Sequence, residues 1–220
     1  MTRAVLFDVD GTLIDSVDLH AHAWQRALAK FGCNASFEAV RSQIGKGGDQ
    51  LMPVFVPEGR LALIGEELEK YRGELFQAEY MKRVRPFPGV RALFKELLRR
   101  GQKLALCSSA KGDELALYKQ LVQVEDLIDA ETSADDARRS KPHPDIFQAG
   151  LRRLGKLPLA EVVVVGDSPF DAIAAHRLGV RAVGVLCGGF PEADLRAAGC
   201  LAIYADPEHL LRELDGSPLA

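Results

Sequence analysis

Two aspartates one residue apart, Asp8 and Asp10, close a short apolar run near the start of the chain, in Asp8-Val9-Asp10-Gly11-Thr12. Side chains alternate faces along a strand, so residues two apart point the same way. Two carboxylates on one face repel unless a cation or a proton separates them, which argues against a plain polar turn. An EF-hand is excluded, because its glycine belongs at the sixth loop position and Gly11 is fourth from Asp8. A second acidic pair follows another apolar run, in Gly166-Asp167-Ser168-Pro169-Phe170-Asp171. If a helix begins there, Asp167 and Asp171 share a face. Helix-dipole complementation could account for Asp171, but not for Asp167 ahead of the helix. Hard oxygen ligands from two strand ends suit Mg²⁺, which takes a few carboxylates and keeps waters.

Two further groups could hold an anion. Ser108 and Ser109 follow a third apolar run and could donate to a phosphate oxygen, although serines there equally suit a helix N-cap. Lys141, in Arg139-Ser140-Lys141-Pro142-His143-Pro144, sits in a proline-stiffened segment at an expected helix start, where it can present a fixed cation.

The elements that must position these groups are legible from periodicity. Short apolar runs alternate with helical patterns, the signature of a parallel α/β sheet. Strands are expected at Ala4–Val9, Lys103–Ser108, Leu127–Glu131, Val162–Gly166, Val180–Val185 and Ala202–Tyr204. The four valines at 162–165 are continuous rather than alternating, as in a central strand covered on both faces. More than 90 residues separate the first two strands, far beyond the dozen or so of an ordinary crossover, so a segment is inserted. Trp24, Ala27, Leu28 and Phe31 share one helical stripe, and Leu68, Tyr71 and Leu75 share another, so the insertion reads as a helical lobe over 15–85. Arg85-Pro86-Phe87-Pro88-Gly89 reads as the return linker. The expected organisation is a core of 1–14 and 86–220 with a helical cap of 15–85.

Composition excludes several classes. The 220 residues are 47% hydrophobic and 27% charged, ordinary for a globular chain. A net charge of −3, with acidic and basic residues balanced inside 15–85, argues against nucleic-acid binding. No apolar run approaches the roughly 20 residues of a membrane span, and the N-terminal run is too short for a signal peptide. Cys33, Cys107, Cys187 and Cys200 show no metal-ligand spacing and read as reduced thiols of a cytoplasmic chain. Gly45-Lys46-Gly47-Gly48 lacks P-loop spacing and reads as a cap loop facing substrate or as a linker.

Taken in order, DVDGT, a serine at a second strand end, SKPHP and GDSPFD resemble the haloacid dehalogenase-like hydrolase superfamily across the whole chain. The GDSPFD variant and the small helical insertion resemble its phosphoglycolate phosphatase and β-phosphoglucomutase branch. The resemblance implies a Rossmann-like parallel sheet with an inserted all-helical cap, Mg²⁺ dependence and an aspartyl-phosphate intermediate. It implies Asp8 as nucleophile and Asp10 as general acid and base. Mg²⁺ would be held by Asp8, the backbone carbonyl of Asp10 and Asp167, with Asp171 in support. Ser108 and Lys141 would grip phosphoryl oxygens, helped by backbone N–H groups near Val9, Asp10 and Ser109. His20 stands where β-phosphoglucomutases carry a cap histidine, and Lys46 is the one cation of the glycine-rich loop, so both are candidates for substrate binding beside Ser109. The expected activity is hydrolysis of a small phosphorylated metabolite by a monomer or weak dimer. The rivals are a sugar phosphomutase, a 2-haloacid dehalogenase, which would not need Asp10, and a non-catalytic binding protein, against which every catalytic position is filled.

Overall fold

The computed structural model describes residues 1–220. The chain opens with β1 (Ala4–Phe7), all four residues buried. The strand stops two residues short of the expected Val9, because the Val9 carbonyl accepts the N–H groups of Thr12, Leu13 and Ile14 and folds the chain into a tight turn. That turn leads into β2 (Ile14–Asp15) and then four helices, α1 (Val17–Lys30), α2 (Phe37–Arg41), α3 (Gly48–Phe55) and α4 (Glu58–Leu75). The helical region extends through a π-turn at Phe76–Tyr80 and returns by β3 (Arg85–Pro86).

The two crossings are zipped together: β2 and β3 pair antiparallel, Ile14 opposite Pro86 and Asp15 opposite Arg85. Two-residue strands carry no periodic signal, so this ribbon was invisible in the sequence. Between the crossings the helices bury an apolar cluster of their own, with Trp24, Leu28, Val40, Leu51 and Leu68 at its centre.

From there helix and strand alternate: α5 (Val90–Arg99), β4 (Lys103–Cys107), α6 (Gly112–Val122), β5 (Ala130–Thr132), α7 (Asp145–Leu154), β6 (Val162–Gly166), α8 (Pro169–Leu178), β7 (Arg181–Val185), α9 (Glu192–Ala197), β8 (Ala202–Tyr204) and α10 (Pro207–Arg212). Six strands form one sheet in the order β5-β4-β1-β6-β7-β8, and every neighbouring pair is parallel. Apolar clusters cover both faces: Val5, Phe7, Leu104, Val163 and Val165 lie on one, and Leu6, Ala105, Val162 and Val164 on the other. After β1 the chain fills the sheet to one side, then crosses back with β6 to fill the other. The carboxyl ends of β1, β4 and β6 therefore border the crevice where α/β sheets bind ligands.

Two expectations shift. The third core strand runs Ala130–Thr132 rather than Leu127–Glu131, because the Leu127 N–H closes a turn on the Val124 carbonyl and that apolar pair packs from the turn. Lys141 is not at a helix start: α7 begins at Asp145, behind its N-cap Pro144. All four cysteines are free thiols, and no helix is long and apolar enough to cross a membrane.

Candidate active site

The buried floor of the crevice is a four-residue charge cluster. Asp8, one residue past β1, Asp167, one past β6, and Lys141 are each 1% exposed, and Asp171 in the first turn of α8 is 2% exposed. Lys141 Nζ donates to Asp8 Oδ1 at 2.5 Å and to Asp171 Oδ1 at 2.8 Å. Thr12 Oγ1 lies 3.2 Å from Asp167 Oδ1 and 3.4 Å from Asp8 Oδ2. Asp171 is held by its own helix end: its Oδ2 accepts from the Ser168 hydroxyl at 2.6 Å and the Ser168 N–H at 3.2 Å, a capping box.

Burial sets the electrostatics. Desolvation, followed by the Asp171 charge, pushes the Asp8 carboxyl up to about 7 despite the Lys141 contact. Asp167 is raised for the same two reasons. Burial alone would lower the Lys141 ammonium, but the Asp171 and Asp8 charges outweigh it and raise it. Three carboxylates against one ammonium leave two negative charges when all are ionised, which a divalent cation would neutralise.

Oxygens of Asp8, Asp167 and Asp171 come within 4.8 Å of one another. A Cβ on Gly188 would stand 1.8 Å from Asp167 Oδ2, so the space beside that oxygen depends on glycine. Three hard, buried oxygen donors with a surplus of negative charge fit Mg²⁺. The carboxylate of Asp10 lies outside this cluster, so its side chain is not a member of the ligand set. Both side-chain hydrogen bonds to Asp10 fall on Oδ1, one from the Ser16 hydroxyl at 2.6 Å and one involving His20 Nε2 at 2.9 Å. Burial would raise Asp10, and the His20 and Ser16 contacts outweigh it, so the carboxyl lies below its ordinary value.

Above this floor lies a polar pocket roofed by the inserted helices. Asp8, Asp10, Ser109, Glu114 and Lys141 line it from the sheet side, and His20, Trp24, Gly45, Lys46 and Arg72 from the helical side. Ser108 is fully buried beneath, its Oγ accepting the Ala110 N–H at 3.0 Å. Neither serine caps a helix, since the N-cap of α6 is Lys111. No protein acceptor takes the backbone N–H groups of Val9, Asp10 or Ser109, which leaves three donors free in the segments that follow β1 and β4. Free backbone donors aimed at a phosphoryl group can stabilise the charge that develops on it.

The profile of the family described as haloacid dehalogenase-like hydrolase matches residues 5–185. The chain belongs to the haloacid dehalogenase-like hydrolases. It is 34% identical over 195 residues to the phosphoglycolate phosphatase of Yersinia pestis, covering 84% of this chain and 82% of that protein. It is 27% identical over 213 residues to the phosphorylated carbohydrates phosphatase of Thermotoga maritima, covering 96% and 98%. A solved hydrolase from Pseudomonas syringae superposes with a TM-score of 0.88 at 28% identity, covering 98% of this chain and 99% of that one. With these relatives the chain is a phosphatase, a phosphoric monoester hydrolase.

In this hydrolase the residues singled out in the sequence come together, with differences in detail. Asp8, Asp10, His20, Lys46, Ser109 and Lys141 share one pocket. Lys46 Nζ is turned to Gln43 Oε1 at 2.5 Å and lies over the Phe170 ring, 4.7 Å from its centroid. The glycines beside it are contact surfaces: a Cβ on Gly47 would stand 2.0 Å from Ser140 Oγ, and one on Gly45 2.7 Å from Ser168 Oγ. The loop is glycine-rich because it lies directly on the core loops that carry Lys141 and Asp171.

Three contributors escaped the sequence. Arg72 of α4 faces the pocket, its guanidinium over Trp24 at 4.9 Å and its Nε buried without a hydrogen-bond partner. Arg41 donates to the Gly188 and Gly189 carbonyls at 3.1 and 3.3 Å, tying α2 to the loop after β7. Glu114 is a buried acid on the pocket wall. Each is a single charged residue on a helix with no local signal to mark it, and only tertiary packing brings it to the site.

Proposed function

We propose that this hydrolase is a Mg²⁺-dependent phosphatase of small phosphorylated metabolites, working through an aspartyl-phosphate on Asp8. The observation that carries the reading is a buried carboxylate held 2.5 Å from a buried lysine, with free backbone N–H groups beside it and a second carboxylate on the same pocket wall. Asp8 attacks phosphorus, the ester P–O bond breaks, and Asp10 gives a proton to the departing oxygen. Water then attacks the phosphorus, Asp10 takes its proton, and phosphate leaves with Asp8 restored. Splitting the reaction in this way replaces one difficult step with two easier ones.

Asp10 begins below its ordinary value, and a phosphoryl dianion entering beside it opposes its ionisation, which shifts the carboxyl back toward the protonated form that an acid needs. Lys141, Ser108 and the N–H groups of Val9, Asp10 and Ser109 hold the phosphoryl oxygens. Asp8, Asp167 and the Asp10 carbonyl would hold Mg²⁺, with Asp171 in support through Lys141. When bound, the metal neutralises the clustered carboxylates and polarises the phosphoryl group.

The helical segment 15–85 acts as a cap over the core of 1–14 and 86–220. Lys46 and Ser109 face the part of the substrate beyond the phosphoryl group, whereas His20, expected beside them, turns its Nε2 to Asp10. The names of the relatives, a phosphoglycolate phosphatase and a phosphorylated carbohydrates phosphatase, support a short phospho-acid or sugar phosphate as substrate.

The test is a panel of sugar phosphates and short phospho-acids with Mg²⁺ and with chelator. Phosphate release that needs the metal, together with borohydride trapping of an acyl-phosphate in the parent and its loss in Asp8→Asn, is the expected result. Metal-independent release, or an undiminished rate in folded Asp8→Asn, overturns it.

A further inference from the structure

Behind Asp10 lies a buried chain of polar groups that the reaction as written does not use. His20 Nε2, on α1, is 2.9 Å from Asp10 Oδ1 and 3.2 Å from the Tyr118 hydroxyl of α6. The same hydroxyl donates to Glu114 Oε1 at 2.6 Å, one helical turn earlier. Tyr118 is fully buried, and His20 and Glu114 are each 7% exposed. The His20 ring is stacked on Phe76, centroids 3.9 Å apart and planes 4° from parallel, so its plane is fixed.

The direction of every bond in this chain follows from its end. Glu114 is an acceptor, so Tyr118 spends its single proton on it. Burial, followed by the Asp10 and Glu114 charges, raises the phenol, which keeps that proton. The hydroxyl can then only accept from His20, and so can the Asp10 carboxylate. Nε2 therefore carries a proton shared between Asp10 and Tyr118. With the Ser16 hydroxyl also on Oδ1, the Asp10 carboxyl is clamped by one oxygen, which leaves Oδ2 for the pocket.

We propose that Tyr118 and Glu114 are positioning residues that act through His20 to hold Asp10 in line with the oxygen leaving phosphorus. The inference rests on Asp10 being the general acid, and it adds two core residues outside the signature motifs. It also makes positioning of the acid conditional on the closed arrangement, because His20 lies on the first inserted helix while Tyr118 and Glu114 lie on the core. The proton transferred is the one on Asp10, which passes to the leaving oxygen as its bond to phosphorus breaks. His20 and Tyr118 keep theirs, and Glu114 remains the acceptor at the end of the chain.

The decisive comparison is Tyr118→Phe, which removes one hydroxyl and keeps the ring in the core. A p-nitrophenolate leaves without needing a proton, whereas a sugar alkoxide needs one. The value of kcat/KM is measured for p-nitrophenyl phosphate and for a sugar phosphate, with saturating Mg²⁺, in the parent, Tyr118→Phe, Asp10→Ala and the double variant. General acid catalysis is worth about 10²–10⁴-fold, and partial misalignment should forfeit a share of it. Tyr118→Phe is expected to lose roughly tenfold or more on the sugar phosphate and less than about threefold on p-nitrophenyl phosphate. The double variant should be no worse than Asp10→Ala.

An equal loss on both substrates, no loss on either, or additive losses in the double variant would overturn the positioning role. Should Asp10→Ala itself fail to discriminate between the leaving groups, the general-acid reading of Asp10 falls, and the inference with it. Discrimination by Asp10→Ala without discrimination by Tyr118→Phe removes only Tyr118 and Glu114. For Tyr118→Phe, a near-parental kcat/KM on p-nitrophenyl phosphate serves as the proof of folding.

Discussion

Lys141 Nζ bridges Asp8 Oδ1 and Asp171 Oδ1, at 2.5 and 2.8 Å, with all three side chains almost wholly excluded from water. The lysine therefore neutralises part of a charge cluster and, by binding Asp171, ties the catalytic floor to the first turn of α8. Breaking a buried pair by removing one partner costs about 3–5 kcal/mol, because the other charge is left uncompensated. Lys141→Met should lower stability by that order, and by more at pH 8 than at pH 5, where protonation relieves the carboxylates. Phosphatase activity should fall by about 10²-fold or more with the loss of a charged phosphoryl contact. Urea denaturation at the two pH values checks the first expectation. A variant as stable as the parent at pH 8 would contradict it.

How far the sequence reached is instructive at this cluster. Asp8, Asp167 and Asp171 were legible because each adjoins a strand or helix end with a local apolar signal, and Lys141 because prolines mark its segment, although no helix starts at it. That Lys141 contacts two of those acids was not legible, since 133 and 30 residues separate the pairs. The sheet was readable from uninterrupted apolar runs such as Val162–Val165, while Leu127 and Ile128 misled because they pack half-buried against the core from the segment ahead of the strand. Arg72 and Glu114 stayed hidden because a charged residue on an amphipathic helix normally faces water.

Metal binding should appear in stability as well as in rate. Asp8 is pushed up to about 7 and Asp167 is raised, so both carboxyls hold their protons to higher pH in the metal-free fold than in the unfolded chain. A carboxyl raised from 3.8 contributes stability that is complete below about pH 4 and lost as pH climbs through 7. The metal-free protein should melt at lower temperature at pH 8 than at pH 5, and the gain on adding Mg²⁺ should grow over the same interval. Asp167→Ala should flatten both trends and raise the Mg²⁺ concentration needed for half activity. Overlaying Mg²⁺ titrations of variant and parent would remove Asp167 from the ligand set.

Few polar contacts seal the helical roof onto the core. Arg41 reaches two carbonyls after β7, and Asp49 Oδ2 accepts the Ser140 N–H at 3.1 Å, next to Lys141. Lids exclude water during chemistry and open for release. Arg41→Ala should loosen the closed form, raising KM severalfold for sugar phosphates with a smaller change in melting temperature. Solution scattering with and without Mg²⁺ and a phosphate mimic should show compaction in the parent. Identical profiles in both states would refute a moving cap.

The final expectation separates hydrolysis from isomerisation, which share Asp8, Asp10, the metal and the cap. A mutase must shield its aspartyl-phosphate from water until a sugar hydroxyl arrives, and must then hold the sugar phosphate in two orientations. The roof here offers two cations, Lys46 and Arg72, and both are partly committed: Lys46 to Gln43 and Phe170, Arg72 to the Trp24 face. His20 is committed as well, clamped between Asp10 and Tyr118 with its ring stacked on Phe76. With Lys46 and His20 bound to the protein, Arg72 alone is left to meet a second anionic group, too little to hold a sugar bisphosphate in two orientations, so water should be the usual acceptor. Supplied with β-glucose 1-phosphate, Mg²⁺ and a trace of the 1,6-bisphosphate, the enzyme should release free phosphate in step with sugar consumed, as followed by phosphorus NMR. Arg72→Ala should weaken binding of substrates that carry a second anionic group, seen as a rise in KM with little change in kcat. Glucose 6-phosphate accumulating without matching free phosphate would show that the aspartyl-phosphate is reserved for a sugar hydroxyl, and the hydrolytic reading would give way to the mutase.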